Sequence, residues 1–143
     1  MKNMNLKLER DYAFAPAKVW AVLGDFGNIG WAAPGVQVDK IGDGPGMIRR
    51  IHMPGMEPID EVLEAIDNDA HRFSYTIPRG LPMPITDYRA VVELSPIGDN
   101  GCRVHWSAVG VATGDFTGDQ AAEILAGAYN QMLDALQAHL SQG

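Results

Sequence analysis

The apolar residues of this chain change period once, and that change limits what it can fold into. From residue 5 to residue 112, segment after segment alternates apolar and polar side chains in the two-residue rhythm of half-buried strands. From residue 117 to residue 141, Ala121, Ile124, Leu125, Ala128, Met132, Leu136 and Leu140 recur at helical spacing. Strands that run ahead of one long amphipathic helix segregate in the α+β manner.

The strands are punctuated by turn residues. Residues 5–14 place Leu6, Leu8, Tyr12 and Phe14 on one face and Lys7, Glu9 and Asp11 on the other. Pro16 suits a first helical turn, and AKVWAVL (17–23) reads as a short helix burying Val19, Trp20 and Leu23. Gly24, Gly27 and Gly30 break it up before a second helical turn leading to Trp31. Residues 35–42 and 46–53 form a hairpin around GDGPG, residues 54–58 (PGMEP) turn into a strand at 59–66, and DNDA leads into a strand at 71–77. Further strands follow at 86–96 and 102–112, joined by GDNG, and either Thr117 or Asp119 caps the long helix. The expectation is one domain over residues 1–143: a seven-stranded antiparallel curved sheet wrapped around the C-terminal helix, with two short helices after strand 1.

Composition narrows the function. A chain of 143 residues with 46% hydrophobic side chains can bury one sizeable core. Its net charge of −7 argues against nucleic acid as a partner, and Arg49–Arg50 is the only adjacent basic pair. The N-terminus MKNMNLKLERDY lacks an apolar signal core, no apolar run reaches membrane-spanning length, and the single cysteine, Cys102, excludes an internal disulfide. A cytoplasmic protein is expected. His52, His71, His105 and His139 lack metal-ligand spacing, so neither metal nor cofactor is expected. GDGPG joins strands with no following helix and is not a phosphate loop.

The segment IDEVLEAIDNDAHRFSYTIPRGLPMPITDYRAVV (59–92) points to a ligand. Glu61 shares its parity with Ile59, Leu63 and Ala65, so alternation turns a carboxylate inward. Tyr75 shares a face with Phe73 and Ile77, and Tyr88 with Ala90 and Val92. On the preceding strand Arg49 shares parity with Met47, Ile51 and Met53; a simple hairpin at 54–58 would set it diagonal to Glu61. The alternative is a twisted strand with Arg49 and Arg50 both solvated. Inward polar groups beside a loop carrying Leu81, Met83 and Ile85 suggest a cavity, because an unpaired buried carboxylate is costly. Trp106 alternates inward with Val104 and Ala108, as core or cavity floor. Met56, Leu81 and Met83 are apolar residues in loops, fitting an entrance lid or equally a homodimer contact. For catalysis the candidates are Glu61, Tyr88 and His52, with no committed acid–base pair among them.

FAPAKVWAVLGDFGNIGWAAPGV, GMIRRIHMPGMEPIDEVLEAIDND, RFSYTIPRGLPMPITDYRAVVEL and CRVHWSAV, in that order and spacing, resemble the helix-grip superfamily. It includes steroidogenic-acute-regulatory-related lipid-transfer domains, the birch-pollen allergen family, polyketide cyclases and plant abscisic-acid receptors. The chain looks most like small bacterial polyketide cyclase/dehydrase-type proteins. The resemblance implies a gate loop at 54–58 and a latch loop at 79–85. It matches Glu61 to a pocket glutamate, Tyr88 to a pocket tyrosine, and Tyr75 and Ile77 to cavity-lining positions. Ile124, Ala128 and Met132 match helix residues that face the ligand. The receptor gate's Ser-Gly-Leu-Pro is Pro54-Gly55-Met56-Glu57 here and the latch has no histidine, so neither the hormone nor a phosphatase partner is implied. The expected activity is binding of a small hydrophobic or amphipathic molecule between sheet and helix, with a cyclase or dehydratase acting by acid–base chemistry as the alternative. The expected contacts are Arg49, Ile51, Met53, Met56, Ile59, Glu61, Leu63, Tyr75, Ile77, Leu81, Tyr88, Ala90, Trp106, Ile124, Ala128 and Met132.

Overall fold

A computed structural model describes residues 1–142. Seven strands, β1 (Asn3–Tyr12), β2 (Gln37–Ile41), β3 (Ile48–His52), β4 (Ile59–Asp67), β5 (Arg72–Arg79), β6 (Ile85–Ile97) and β7 (Gly101–Ala112), form one antiparallel sheet. Its order is β1-β7-β6-β5-β4-β3-β2. Helix α1 (Pro16–Leu23) follows β1 and helix α2 (Gly118–Ser141) closes the chain. Among the described residues no helix is long and apolar enough to cross a membrane.

One expectation fails here: there is a single short helix after β1, not two. Gly24 ends α1, donating its N–H to the Trp20 carbonyl, and residues 24–36 run as turns. The second helix shrinks to one hydrogen-bonded turn, in which Ala32 and Ala33 N–H donate to the Ile29 carbonyl. A glycine every third residue, followed by Pro34, leaves too little chain to propagate a helix.

Because β1 and β2 lie at opposite edges of the sheet, residues 13–36 must cross its whole width. They cover the concave side together with α2, which packs on β1 and β7. Thr117 caps α2 through a reciprocal capping box with Gln120. The buried stripe of α2 is Ala121, Leu125, Tyr129, Leu133, Leu136 and Leu140. The expected stripe is thus rotated. Ile124 is 42% exposed, Ala128 and Met132 are half-buried, and Tyr129 and Leu133 take the positions against the sheet. On the opposite flank Asn130 and Asp134 receive Arg10 of β1, so Ile124, Ala128 and Met132 line the flank turned away from β1.

Three irregularities interrupt the ladders. Between Asp60/Arg79 and Val62/Thr76, β5 has one residue more than β4, at Ile77–Pro78, where proline has no N–H to lose. Between Leu63/Tyr75 and Ala65/Ser74 the extra residue is on β4. Past it the faces exchange: Ala65 is exposed and Ile66 packs on the core, against the alternation expected of Ala65. Between Thr86/Val111 and Arg89/Val109 the extra residue is on β6, where Asp87 takes φ 55°. That bulge leaves Thr86 and Asp87 both outward and turns Tyr88 inward.

Candidate functional site: a polar cluster inside the sheet

Strands β3 to β7 each send polar or aromatic groups into the interior. Arg49 lies directly opposite Glu61 in the β3–β4 register, not diagonal to it, because pairing stops at Ile51–Ile59 and the gate loop beyond is wider than a tight turn. The next pair, Arg50 and Asp60, also matches. Two adjacent arginines therefore form two ion pairs, one on each face of the sheet.

The inner pair is dry. Arg49 is 4% exposed and its Nε donates to Glu61 Oε1. Its Nη1 donates to the Phe26 carbonyl at 3.0 Å, and its guanidinium carbon lies 4.0 Å from the Phe26 ring centre and 5.2 Å from that of Tyr75. Phe26, from the crossing segment, was not anticipated as part of the site. Such a pair persists because its mutual attraction and extra hydrogen bonds offset desolvation, which an unpaired charge could not do.

Beside it the Tyr75 and Tyr88 hydroxyls both meet that of Tyr129, Tyr75 at 2.7 Å. Burial raises the pKa of both Tyr75 and Tyr88, and the negative charge of Glu61 adds to it, so both stay protonated at neutral pH. The Trp106 ring lies 4.6 Å from that of Tyr129. Its Nε1 is the one buried side-chain polar atom without a hydrogen-bond partner among the described residues. Tyr129 was missed although its signal was present: it is four residues from both Leu125 and Leu133.

These rings change the expected interior. Tyr75, Tyr88, Trp106 and Tyr129 occupy space between the sheet and α2 where a cavity was expected. A depression of about 570 Å³ instead opens where β5 and β6 diverge, between the outward Thr76, Pro78, Asp87 and Arg89, and it reaches the inward Ile77 and Tyr88.

The expected contact residues divide into two groups. Arg49, Ile51, Ile59, Leu63, Tyr75, Ile77, Tyr88, Ala90 and Trp106 are buried on the inner face, and Glu61 lies among them, nearly buried. Met53 and Met56 are exposed at the gate, Leu81 is half-buried in the latch, and on α2 Ile124 is exposed while Ala128 and Met132 are half-buried. Gate and latch touch at Gly80, which packs on the backbone of Pro58 and Ile59. Arg79 Nε also reaches Glu57 Oε1 at 3.3 Å.

His52 does not belong to the cluster. It alternates outward and pairs with Asp39 at 2.8 Å, on the face opposite Arg49 and Glu61. Among the described residues no three His, Cys, Asp or Glu side chains could together hold a metal ion. Cys102 is buried, and desolvation pushes its thiol up to about 11.

The outer ion pair supplies a pH prediction. Asp60 accepts 2.7 and 3.1 Å hydrogen bonds from Arg50, with Arg79 Nη1 at 3.5 Å. The Arg50 hydrogen bonds, helped by the charge of both arginines, hold its carboxyl below the usual range. A depressed folded pKa adds stability above the unfolded value, about pH 4, and that stability is lost as pH falls through the folded pKa. Asp60→Asn should therefore weaken urea resistance at pH 7 and weaken it less at pH 2. An equal effect at both would contradict the assignment.

The sequence model for polyketide cyclase / dehydrase and lipid transport matches residues 5–141. No curated protein matches the chain. Among solved structures, a Thermobifida fusca protein determined by solution NMR is similar at 29% identity and a TM-score of 0.82, covering 96% of this chain and 93% of its own. Norcoclaurine synthase from Thalictrum flavum, in complex with dopamine and hydroxybenzaldehyde, superposes at a TM-score of 0.76 and 21% identity, covering 98% and 87%. Ara h 8.0201 does so at 0.78 and 16%, covering 99% of each chain. At such identities the last two likenesses establish the fold.

Proposed function

The chain belongs to the polyketide cyclase / dehydrase and lipid transport family, and from that premise we propose that it binds a small hydrophobic or amphipathic molecule between the sheet and α2. The molecule enters between the gate and the latch, and its polar end is oriented by Glu61, Arg49, Tyr75 and Tyr88. The observation that carries this is the inward ion pair and its hydroxyl neighbours. A core built only for stability gains little from a desolvated Arg–Glu pair over apolar residues of similar volume. Facing an apolar interior, the same groups fix the orientation of a bound molecule. The half-buried and exposed apolar residues of the two loops, Met53, Met56, Leu81 and Met83, fit an entrance that opens onto that interior. Because rings fill part of the interior, binding requires them to move, and the molecule is admitted by rearrangement of the mouth and not into a standing void.

Catalysis is the second reading, favoured by one observation: a carboxylate and phenolic protons stand together away from water. Glu61→Gln separates the two. Retained binding with lost turnover of an enolisable polyketide-like substrate supports an acid–base role, and weakened binding alone supports recognition.

The test of the main reading is native mass spectrometry of the purified protein, with solvent extraction of whatever accompanies it. An adduct of a few hundred daltons that is lost in Tyr88→Trp, which overfills the interior, is the expected result. Mass equal to the bare chain, together with no saturable uptake of an apolar fluorophore, would overturn it. The same spectra report whether the gate loops support a homodimer.

A further inference from the structure

We propose that Ser95, His105 and Glu9 form a second site, on the outer face of the sheet, in which Ser95 is a nucleophile towards neutral carboxylic esters. The site lies across the sheet from the interior cluster and does not depend on what binds there.

Register brings the three side chains together. Strands β1, β7 and β6 are neighbours in the sheet, and their ladders are regular over this stretch. Glu9 stands opposite His105 across β1 and β7. Ser95 stands opposite Arg103 across β6 and β7, one diagonal step from His105. Leu94, Val104 and Trp106 are buried, so alternation turns Ser95 and His105 outward, where both are half-buried and within reach of solvent. His105 Nδ1 lies 2.8 Å from Glu9 Oε2, and its Nε2 lies 2.9 Å from Ser95 Oγ.

A carboxylate can only accept, so in the neutral ring the proton sits on Nδ1 and is donated to Glu9. Nε2 then presents a lone pair, to which the Ser95 hydroxyl donates. Nucleophile, base, and a carboxylate that fixes the tautomer of the base stand in the order that activates a hydroxyl. All three are on strands, which hold such a geometry more closely than loops do.

The neighbours favour an ester. Arg103 is fixed by Asp11, which accepts 2.7 and 3.1 Å hydrogen bonds from its Nε and Nη2, and among the described residues its Nη1 makes none. The residue directly opposite Ser95 therefore carries a spare donor for the negative oxygen of a tetrahedral intermediate. Ile97, two residues beyond Ser95 on the same face, is exposed and offers an apolar rest for an acyl chain. Glu9, Asp11 and Glu93, which stands opposite His105 on β6, disfavour an anionic substrate. Ser95 Oγ bonds to the ester carbonyl carbon as His105 Nε2 takes its proton. The bond from that carbon to the alkoxy oxygen then breaks, and the proton passes from Nε2 to the leaving alcohol. Water repeats the sequence on acyl-Ser95, releasing the acid and restoring the hydroxyl.

The experiment labels the purified protein with phenylmethanesulfonyl fluoride, whose fluoride Ser95 Oγ displaces, and follows para-nitrophenyl butyrate in parallel. The expected result is one sulfonyl group per chain, mapped to Ser95 by peptide mass spectrometry, and a burst of nitrophenolate that Ser95→Ala abolishes. His105→Gln slows labelling by about 100-fold or more, the scale of a general base. Arg103→Gln slows it several-fold. Glu9 is a positioning residue acting through His105, so Glu9→Gln is also read by nitrogen NMR of the ring. The amide can donate to Nδ1, which moves the ring proton to Nε2 and slows labelling by roughly tenfold or more. No label and no burst, or a label on Ser95 at an unchanged rate in His105→Gln, overturns the site and leaves a polar ladder that only covers the sheet. The wild-type tautomer and rate in Glu9→Gln overturn the role of Glu9, and an unchanged rate in Arg103→Gln overturns that of the guanidinium.

Discussion

Arg49→Met is expected to lower folding stability by about 3–5 kcal/mol, because it leaves the Glu61 carboxylate buried without its cation. In a domain of 143 residues that is a fall in Tm of roughly 10 °C or more. The guanidinium also donates to the Phe26 carbonyl and lies over the Phe26 ring, so the crossing segment loosens with it. Replacing both partners has a different outcome. Arg49→Met with Glu61→Leu removes the charges together and refills the volume, so the double variant should unfold within about 1 kcal/mol of the wild type, or above it. A double-mutant cycle in urea reads both numbers. A nearly silent Arg49→Met would mean that water reaches the pair, and the dry polar interior would have to be abandoned. The double variant then has a use of its own. A stable protein that binds an apolar probe as tightly as before, but no longer discriminates among polar ends, places the role of the pair in orientation.

How far the sequence foretells this site varies with the physical source of each feature. The inward direction of Glu61, Tyr75 and Tyr88 follows from alternation, because a strand has a period of two wherever its ladder is regular. The same logic fails at Ala65, where a bulge exchanges the faces, and nothing in VLEAID marks the extra residue. The Arg49–Glu61 partnership was legible, but its register was not. Register depends on where pairing stops before the gate, a balance of loop entropy and the Ile51–Ile59 contact that sequence spacing does not carry. The long helix was written plainly in the apolar spacing, and of its two cap candidates, Thr117 and Asp119, Thr117 takes the role. Its rotation was not, since Ile124, Ala128 and Met132 make as good a stripe as Leu125, Tyr129 and Leu133, and the choice falls to what the sheet presents opposite. Whether rings or a void fill the interior is a question of volume between Trp106, Tyr129 and their neighbours. Volume competition among residues distant in sequence has no local signature.

Gly80→Ala is expected to cost about 2–5 kcal/mol and to open the mouth. Gly80 has φ 82°, where an alanine Cβ costs about 1–2 kcal/mol. That Cβ would also stand 2.1 Å from the Pro58 carbonyl oxygen and 3.0 Å from the Ile59 Cα, both backbone atoms, so the gate and latch would have to separate, at about 1–3 kcal/mol. Gly55, in the gate, isolates the two effects. Its φ is 74°, but nothing lies within 4 Å of the position its Cβ would take. Gly55→Ala should therefore carry only the backbone penalty, about 1–2 kcal/mol, with the gate–latch contact intact. Stopped-flow release of a bound fluorophore reads the difference that matters for function. If closure of 54–58 on 79–85 retains the ligand, Gly80→Ala releases it several-fold faster than Gly55→Ala does, beyond what their difference in stability explains. Arg79→Gln, which removes the reach to Glu57 and leaves the glycine contact in place, should fall between them. Equal release rates in all three would mean that the ligand leaves by another route, and the divergence of β5 and β6 at Pro78 and Asp87 is where that route would be sought.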